Sequence, residues 1–182
     1  MLTINSTIIS GAGAIPALAP LLAGKTRLLL VTDGNIARLD AARAIRALLE
    51  DDNRSVSVID NVPPEPTHHD VHALLAEINE TAFDLVVGVG GGSVLDVAKL
   101  LSVLCHPASP GLDALLAGEK PTERLASLLI PASAGTGSEA TPNAILAIPE
   151  QNTKIGIISP VLLPDYVALL PELTTSMPPH IA

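Results

Sequence analysis

Aromatic residues are almost missing from this chain. Phe83 and Tyr166 are the only two among 182 residues, and there is no tryptophan. The interior must therefore be aliphatic, built from Leu, Val, Ile and Ala. Nor is there an aromatic platform on which single-stranded bases would stack. The single cysteine, Cys105, excludes an internal disulfide and a cysteine-rich zinc site, and it fits a reducing compartment. Basic residues are scarce too. Ten Lys and Arg against nineteen Asp and Glu leave a formal charge of −9, so there is no positive footprint for nucleic acid or anionic lipid. The longest apolar stretch, Ile155 to Leu170, is broken by Pro160, Pro164 and Asp165 and does not read as a membrane span. Met1-Leu2-Thr3-Ile4-Asn5 lacks the basic head of a secretory signal. These absences predict a soluble cytoplasmic protein with no nucleic-acid or membrane partner. Hydrophobic residues reach 48% and charged residues only 16%, which excludes disorder and suits one packed domain.

What is present alternates in period. Residues 27–32 form a short continuous apolar run, the pattern of a strand buried on both faces. Ile36, Leu39, Ile45, Leu48 and Leu49 then recur at helical spacing as far as Glu50. Residues 55–59 read as a second strand, and Pro63, Pro64 and Pro66 stiffen the connection after it. A helix is expected from Thr67, its N-cap, to Glu80. Residues 85–89 give a third strand, and 93–104 a helix. A loop is expected over 107–120, and strands over 128–130, 143–148, 154–158 and 166–170, with Glu150 to Asn152 turning between the middle pair. Strands alternating with helices predict an α/β fold. It is a Rossmann-like open, mostly parallel sheet flanked by helices. The stretch from Pro171 to His180 reads as a helix start, and the chain reads as cut at Ala182 or as naturally short.

The sharpest segment is Gly88-Val-Gly-Gly-Gly-Ser-Val-Leu-Asp-Val-Ala-Lys99. A buried strand runs into three glycines and then directly into a helix. Glycine allows a tight turn and close backbone approach to a ligand. The helix start offers unpaired N–H groups and the positive end of its dipole, together a site for a phosphate or pyrophosphate. The standard dinucleotide fingerprint differs, because Ser93 stands where its third glycine belongs. An acidic residue is expected to hold the ribose. Asp113 has the usual spacing but falls in a loop. Asp33, at the end of the first strand, is the better candidate, and it suits a turn cap equally well. A second loop, Pro131 to Thr141, carries hydroxyls at Ser133, Thr136, Ser138 and Thr141. Both loops lie at carboxyl ends of strands, so they are expected to face one crevice.

Other clusters carry less. His68 and His72 are spaced i,i+4, which can bind a metal, yet no glutamate separates them and a solvated helix start explains both. Cys105 and His106 are adjacent and read as packing or loop residues. There is no Gly-x-Ser-x-Gly elbow, which disfavours that class of hydrolase. No metal ligand set and no catalytic side chain is assigned within the chain.

Three segments together carry a family resemblance: residues 90–99, residues 130–141, and Leu173-Thr-Thr-Ser-Met-Pro-Pro-His180. In order and spacing they resemble the iron-containing (group III) alcohol dehydrogenases, whose wider superfamily includes dehydroquinate synthase and glycerol dehydrogenase. The resemblance implies a two-domain enzyme. An N-terminal α/β domain holds NAD(P), and a C-terminal all-helical domain supplies an aspartate and three histidines to Fe²⁺ or Zn²⁺. It places the cofactor pyrophosphate on Gly91, Gly92 and Ser93, and Asp33 at the adenosine ribose, favouring NAD over NADP. It adds Asp96, Ser133, Thr136, Ser138 and Lys154 to the cofactor residues.

The chain departs from the family at several places. Ala132 and Ser133 stand where two threonines are common, Glu65 where asparagine is common, and Leu170 where an aspartate precedes the proline. The four metal ligands would fall beyond Ala182. The expectation is thus that residues 1–182 are the NAD(P)-binding domain of a metal-dependent, NAD-linked alcohol dehydrogenase, without its helical metal domain and inactive alone. The metal belongs to the full-length enzyme, the substrate is a small alcohol or aldehyde, and a homo-oligomer is open. The alternatives are a stand-alone, non-catalytic nucleotide-binding module, or a sugar-phosphate enzyme of the wider superfamily. The latter would need basic phosphate anchors, which are few near these loops.

Overall fold

The structure, a computed structural model, describes residues 6–50, 53–78 and 82–175. The expected end of the second helix at Glu80 and the motif beyond Thr175 lie outside the described residues.

Six strands form one parallel sheet: β1 (Thr7–Ser10), β2 (Arg27–Val31), β3 (Ser55–Ile59), β4 (Leu85–Gly90), β5 (Ser127–Pro131) and β8 (Tyr166–Leu169). Their spatial order is β1-β8-β5-β4-β2-β3. The apolar runs of β2, β4 and β5 are continuous because both faces of the sheet are covered. Leu29, Val31, Val86 and Leu129 pack on one side with α2 (His68–Glu77) and α3 (Gly92–Leu104). Leu28, Leu30, Val87, Val89 and Ile130 pack on the other, against α1 (Asp40–Leu49) and the 3-10 helix Ile15–Leu22. Among the described residues the buried apolar side chains are aliphatic except for Phe83.

Strands β6 (Asn143–Ile148) and β7 (Thr153–Ile158) form a separate antiparallel hairpin. Between them, Pro149–Gln151 makes a 3-10 turn that ends at left-handed Asn152. The hairpin docks on the start of α2. Thr67 bridges Ala147, and the Ala147 N–H donates to the Pro66 carbonyl at 3.0 Å. Thr67 caps α2 as expected, in a reciprocal capping box with Asp70.

Three sequence expectations are corrected. Residues 36–50 are not one helix: Ile36–Arg38 is a 3-10 turn, and Leu39 is extended before α1 begins. The expected loop at 107–120 contains the short helix α4 (Leu112–Leu116), which buries Leu112 and Leu115. Neither β1 nor the Ile15–Leu22 helix was expected. β1 is a short edge strand with little alternation, and Ile15–Leu22 carries two prolines. The described part of the C-terminal segment is a short turn of helix, α5 (Pro171–Thr174). No helix among the described residues is long and apolar enough to cross a membrane.

The strand order sets the position of a site. From β2 the chain winds outward to β3, then crosses back to β4 on the other side of β2 and continues to β5. Strand order therefore reverses between β2 and β4. In open α/β sheets, ligands sit beyond the carboxyl ends of the strands at such a switch point.

Candidate functional site

Asp33 follows β2 and Gly91 follows β4, so the two glycine-and-acid signals of the sequence flank the switch point. The ends of these strands are tied together. Val31 is in register with Gly88, and the buried Thr32 hydroxyl donates to the Val89 carbonyl at 2.8 Å.

The turn from β4 into α3 requires glycine. A Cβ on Gly90 would lie 2.6 Å from the Cβ of Val94, too close to exist without moving the helix. Gly91 is the N-cap and gives α3 no side-chain cap. The N–H groups of the first turn are thus left for another acceptor.

The second glycine loop closes directly onto this turn. A Cβ on Gly92 would meet Thr136 Cγ2 at 3.1 Å and Ser138 Oγ at 3.4 Å, and one on Gly91 would meet Ser133 Oγ at 3.6 Å. The two loops pack against each other, with residues 91–94 lining one hollow and Ser133 and Gly135 another. Gly91, Gly92, Ser93, Ser133, Thr136 and Ser138 come together at the carboxyl ends of β4 and β5.

Two hollows meet at Ser93. The first, about 380 Å³, is lined by Asp33, Gly34, Arg38, Pro63, Pro64 and residues 91–94. Asp33 is half-buried there. Its Oδ1 accepts from the N–H groups of Asn35 and Ile36 at 2.9 and 3.1 Å. It is therefore a turn cap and a wall of the cleft at once. Asp113, the alternative acid, lies away from the cleft in α4 and faces His72 Nε2 at 3.0 Å. The second hollow, about 220 Å³, is lined by Glu65, Pro66, Ser93, Asp96, Ile145 and Lys154. Here the Glu65 N–H donates to Ser93 Oγ at 3.3 Å, and Lys154 Nζ donates to Glu65 Oε1 at 3.0 Å. Glu65 has φ +49°, a left-handed backbone in which asparagine is more at ease. The glutamate here pairs with Lys154.

Asp96 lies at the edge of this hollow with partners of its own. Oδ2 accepts from the Ile145 N–H at 3.1 Å, and Oδ1 stands 2.9 Å from Lys99 Nζ.

Lys99 is the residue that sequence reasoning missed. Its side chain is fully buried, and Nζ donates to the carbonyls of Ser138, at 2.8 Å, and of Asn143. It thereby pins the second glycine loop and the start of β6 to the helix carrying the first. Burial pulls its pKa below the ordinary lysine value, and the Asp96 carboxylate works against that shift. The signal was a lysine three residues after an aspartate on a helix that is otherwise apolar.

The metal-type clusters are rearranged. His68 and His72 do not pair. His68 and His69 turn toward Glu150, and their ligand atoms all lie within 4.8 Å of one another. Among the described residues no aspartate-and-three-histidine set occurs. Cys105 is partly buried, and burial pushes its thiol up to about 11, which keeps it unreactive.

Comparison with known proteins follows the same geometry. The family model "Iron-containing alcohol dehydrogenase" matches residues 5–171. Long-chain-alcohol dehydrogenase 1 of Geobacillus thermodenitrificans is 35% identical over 176 residues, covering 94% of this chain and 44% of that protein. The crystal structure of an iron-containing alcohol dehydrogenase from Thermotoga maritima superposes with a TM-score of 0.89 at 29% identity. It covers all of this chain and 50% of that one. Sulfoacetaldehyde reductase from Bifidobacterium kashiwanohense, solved in complex with NAD⁺, gives a TM-score of 0.84 at 30% identity over 100% and 49% of the two chains. The chain therefore spans about half the length of the relatives it matches.

Proposed function

The chain belongs to the iron-containing alcohol dehydrogenase family, and from that premise we propose that it is the NAD-binding half of a metal-dependent alcohol dehydrogenase. The activity is hydride transfer between a small alcohol or aldehyde and the nicotinamide. The observation that carries this reading is the closure of the Ser133–Ser138 loop onto Gly91 and Gly92 at the sheet's switch point.

The residues fit a dinucleotide. The uncapped first turn of α3 offers N–H groups to a pyrophosphate. Its glycines leave the backbone bare where side chains would fill the cradle. The Ser93, Ser133, Thr136 and Ser138 hydroxyls supply further donors around it. Asp33 would accept from a ribose hydroxyl through Oδ2, since Oδ1 already caps its turn. A carboxylate there repels a 2′-phosphate, which favours NAD over NADP. Lys154 would reach the cofactor from β7, and its tie to Glu65 holds it at the rim of the second hollow. When bound, NAD supplies the hydride acceptor; the protein's part is binding and orientation.

The metal is a different matter. The ligand set that the family implies is not found among the described residues, where the cluster that could hold an ion is His68, His69 and Glu150. In this reading residues 1–182 form a cofactor domain that binds dinucleotide and by itself turns over little or no alcohol.

NADH fluorescence tests the reading cleanly, because the chain has no tryptophan. Saturable enhancement of nicotinamide emission, with negligible alcohol-dependent NAD reduction by the chain alone, is the expected result. Absence of any NADH binding refutes it, and enzyme-like turnover by these residues alone refutes the assignment of the chemistry elsewhere.

A further inference from the structure

The His68–His69–Glu150 cluster lies outside the dinucleotide cleft, and the proposed function makes no use of it. His68 and His69 open α2, just after the Thr67 cap. Glu150 lies in the 3-10 turn between β6 and β7. The hairpin docks on residues 66–67, so this turn is carried to the helix start. His69 Nε2 contacts Glu150 Oε1, and His68 Nε2 stands 3.8 Å from Glu150 Oε2. The two imidazole rings lie 3.9 Å apart, centroid to centroid, at 37°.

Hydrogen bonding alone leaves this cluster unbalanced. At 3.8 Å, His68 Nε2 is beyond hydrogen-bond reach of the carboxylate. The other ring nitrogen, Nδ1, is buried with no partner. A neutral imidazole carries one donor and one lone pair, so at least one lone pair of His68 is not matched by a protein donor. Two imidazole nitrogens and one carboxylate, facing inward, instead match the ligand chemistry of a borderline divalent ion. Such ligands sit roughly 2.0–2.2 Å from zinc, so ligand atoms gathered within 4.8 Å need only small side-chain movement to reach it. Asp70, in the same first turn, offsets the positive end of the helix dipole.

We propose that His68, His69 and Glu150 form a binding site for one Zn²⁺-class divalent ion, with water at the remaining position. The ion joins two elements that frame the second hollow. Glu65 and Pro66 lead into α2, and Lys154 is on β7. A metal at this site clasps the hairpin to the helix and stiffens that wall. The claim is independent of dinucleotide binding.

The test is calorimetric titration of the chelator-treated chain with Zn²⁺ alone, repeated with His69→Ala, Glu150→Gln and His72→Ala. A parallel titration with Co²⁺ reads coordination by visible absorption. Expected are one Zn²⁺ per chain and the intense absorption of a low-coordinate cobalt site. His69→Ala and Glu150→Gln should each weaken binding by more than about tenfold, the scale at which losing even a partner of a ligand acts, and His72→Ala should leave it unchanged. His69 and Glu150 are exposed, so both variants should fold. No Zn²⁺ binding, binding that survives both substitutions, or binding lost with His72→Ala overturns the proposal. Dinucleotide binding by all four proteins is scored separately and bears only on the proposed function.

Discussion

The ammonium of Lys99 lies 2.8 Å from the carbonyl oxygen of Ser138, with the lysine side chain completely buried. One helix thus carries the glycine turn at its start and, two turns on, the charge that holds the opposing loop over that turn. Replacing Lys99 by Met keeps the apolar stem, strands the Ser138 and Asn143 carbonyls and leaves Asp96 without its counter-charge. The expected loss is about 3 kcal/mol in urea denaturation, in the range for breaking one partner of a buried ion pair. Adding Asp96→Asn should recover part of it, and a cycle with no coupling would contradict the pairing.

Gly92→Ala should act on binding rather than on stability. Alanine is at ease in a helix, but its Cβ meets Thr136 at 3.1 Å and intrudes on the cradle. NADH affinity is expected to fall about tenfold or more, roughly 1.4 kcal/mol, with a melting temperature within a few degrees of the parent.

Asp33→Gly separates two roles of one side chain. Loss of the cap on Asn35 and Ile36 should cost about a few tenths of a kcal/mol of stability, since glycine tolerates a cap position. The ratio of NADP to NAD affinity should rise, because the carboxylate proposed to accept from the ribose is gone and Arg38 remains in the same hollow. Competition of each dinucleotide against NADH measures the ratio; an unchanged ratio removes Asp33 from cofactor choice.

Glu65→Asn relieves a left-handed glutamate and frees Lys154. Exposed ion pairs contribute under about 1 kcal/mol, so stability should hold or rise slightly. NADH affinity should increase, and Lys154→Ala should lower it in both backgrounds. Tighter binding in Lys154→Ala would mean that the lysine obstructs the cleft.

Asp84 gives a pH signature at the opposite end of the sheet. The N–H groups of Thr26 and Arg27 donate to its carboxylate at 2.8 and 2.9 Å, and the Thr26 hydroxyl adds a third bond. These bonds hold its pKa below the ordinary value of 3.8. A depressed folded pKa contributes stability above the unfolded value, and that contribution is lost as pH falls through the folded one. Asp84→Asn should therefore cost about 1 kcal/mol at neutral pH. The gap to the parent should close below about pH 4, as urea midpoints across that range would show.

The fold was largely legible because β2, β4 and β5 are continuous apolar runs and α3 follows three glycines without a gap. The meeting of the two loops was legible too, since both follow parallel strands and must emerge on the same edge. The elements that escaped are short and carry weak periodicity. Thr7–Ser10 has four residues, and Leu112–Leu116 is one turn hidden among Pro, Gly and Ala. Long-range side-chain pairings were beyond reach as well. The i,i+4 spacing on α2 suggested His68 with His72, but a hairpin eighty residues later brings Glu150 to His68 and His69, and α4 brings Asp113 to His72. The i,i+3 spacing of Asp96 and Lys99 hints at an ion pair, but the backbone carbonyls that Lys99 holds leave no residue pattern.

The crevice at the sheet's switch point is proposed to be a dinucleotide site selective for NAD. The direct measurement is calorimetric titration of the chain with NAD and separately with NADP, each repeated on Gly92→Ala. Expected are one NAD per chain, weaker binding of NADP, and at least about tenfold weaker binding of both in the variant. No heat with either dinucleotide, or binding that Gly92→Ala leaves intact, would contradict it.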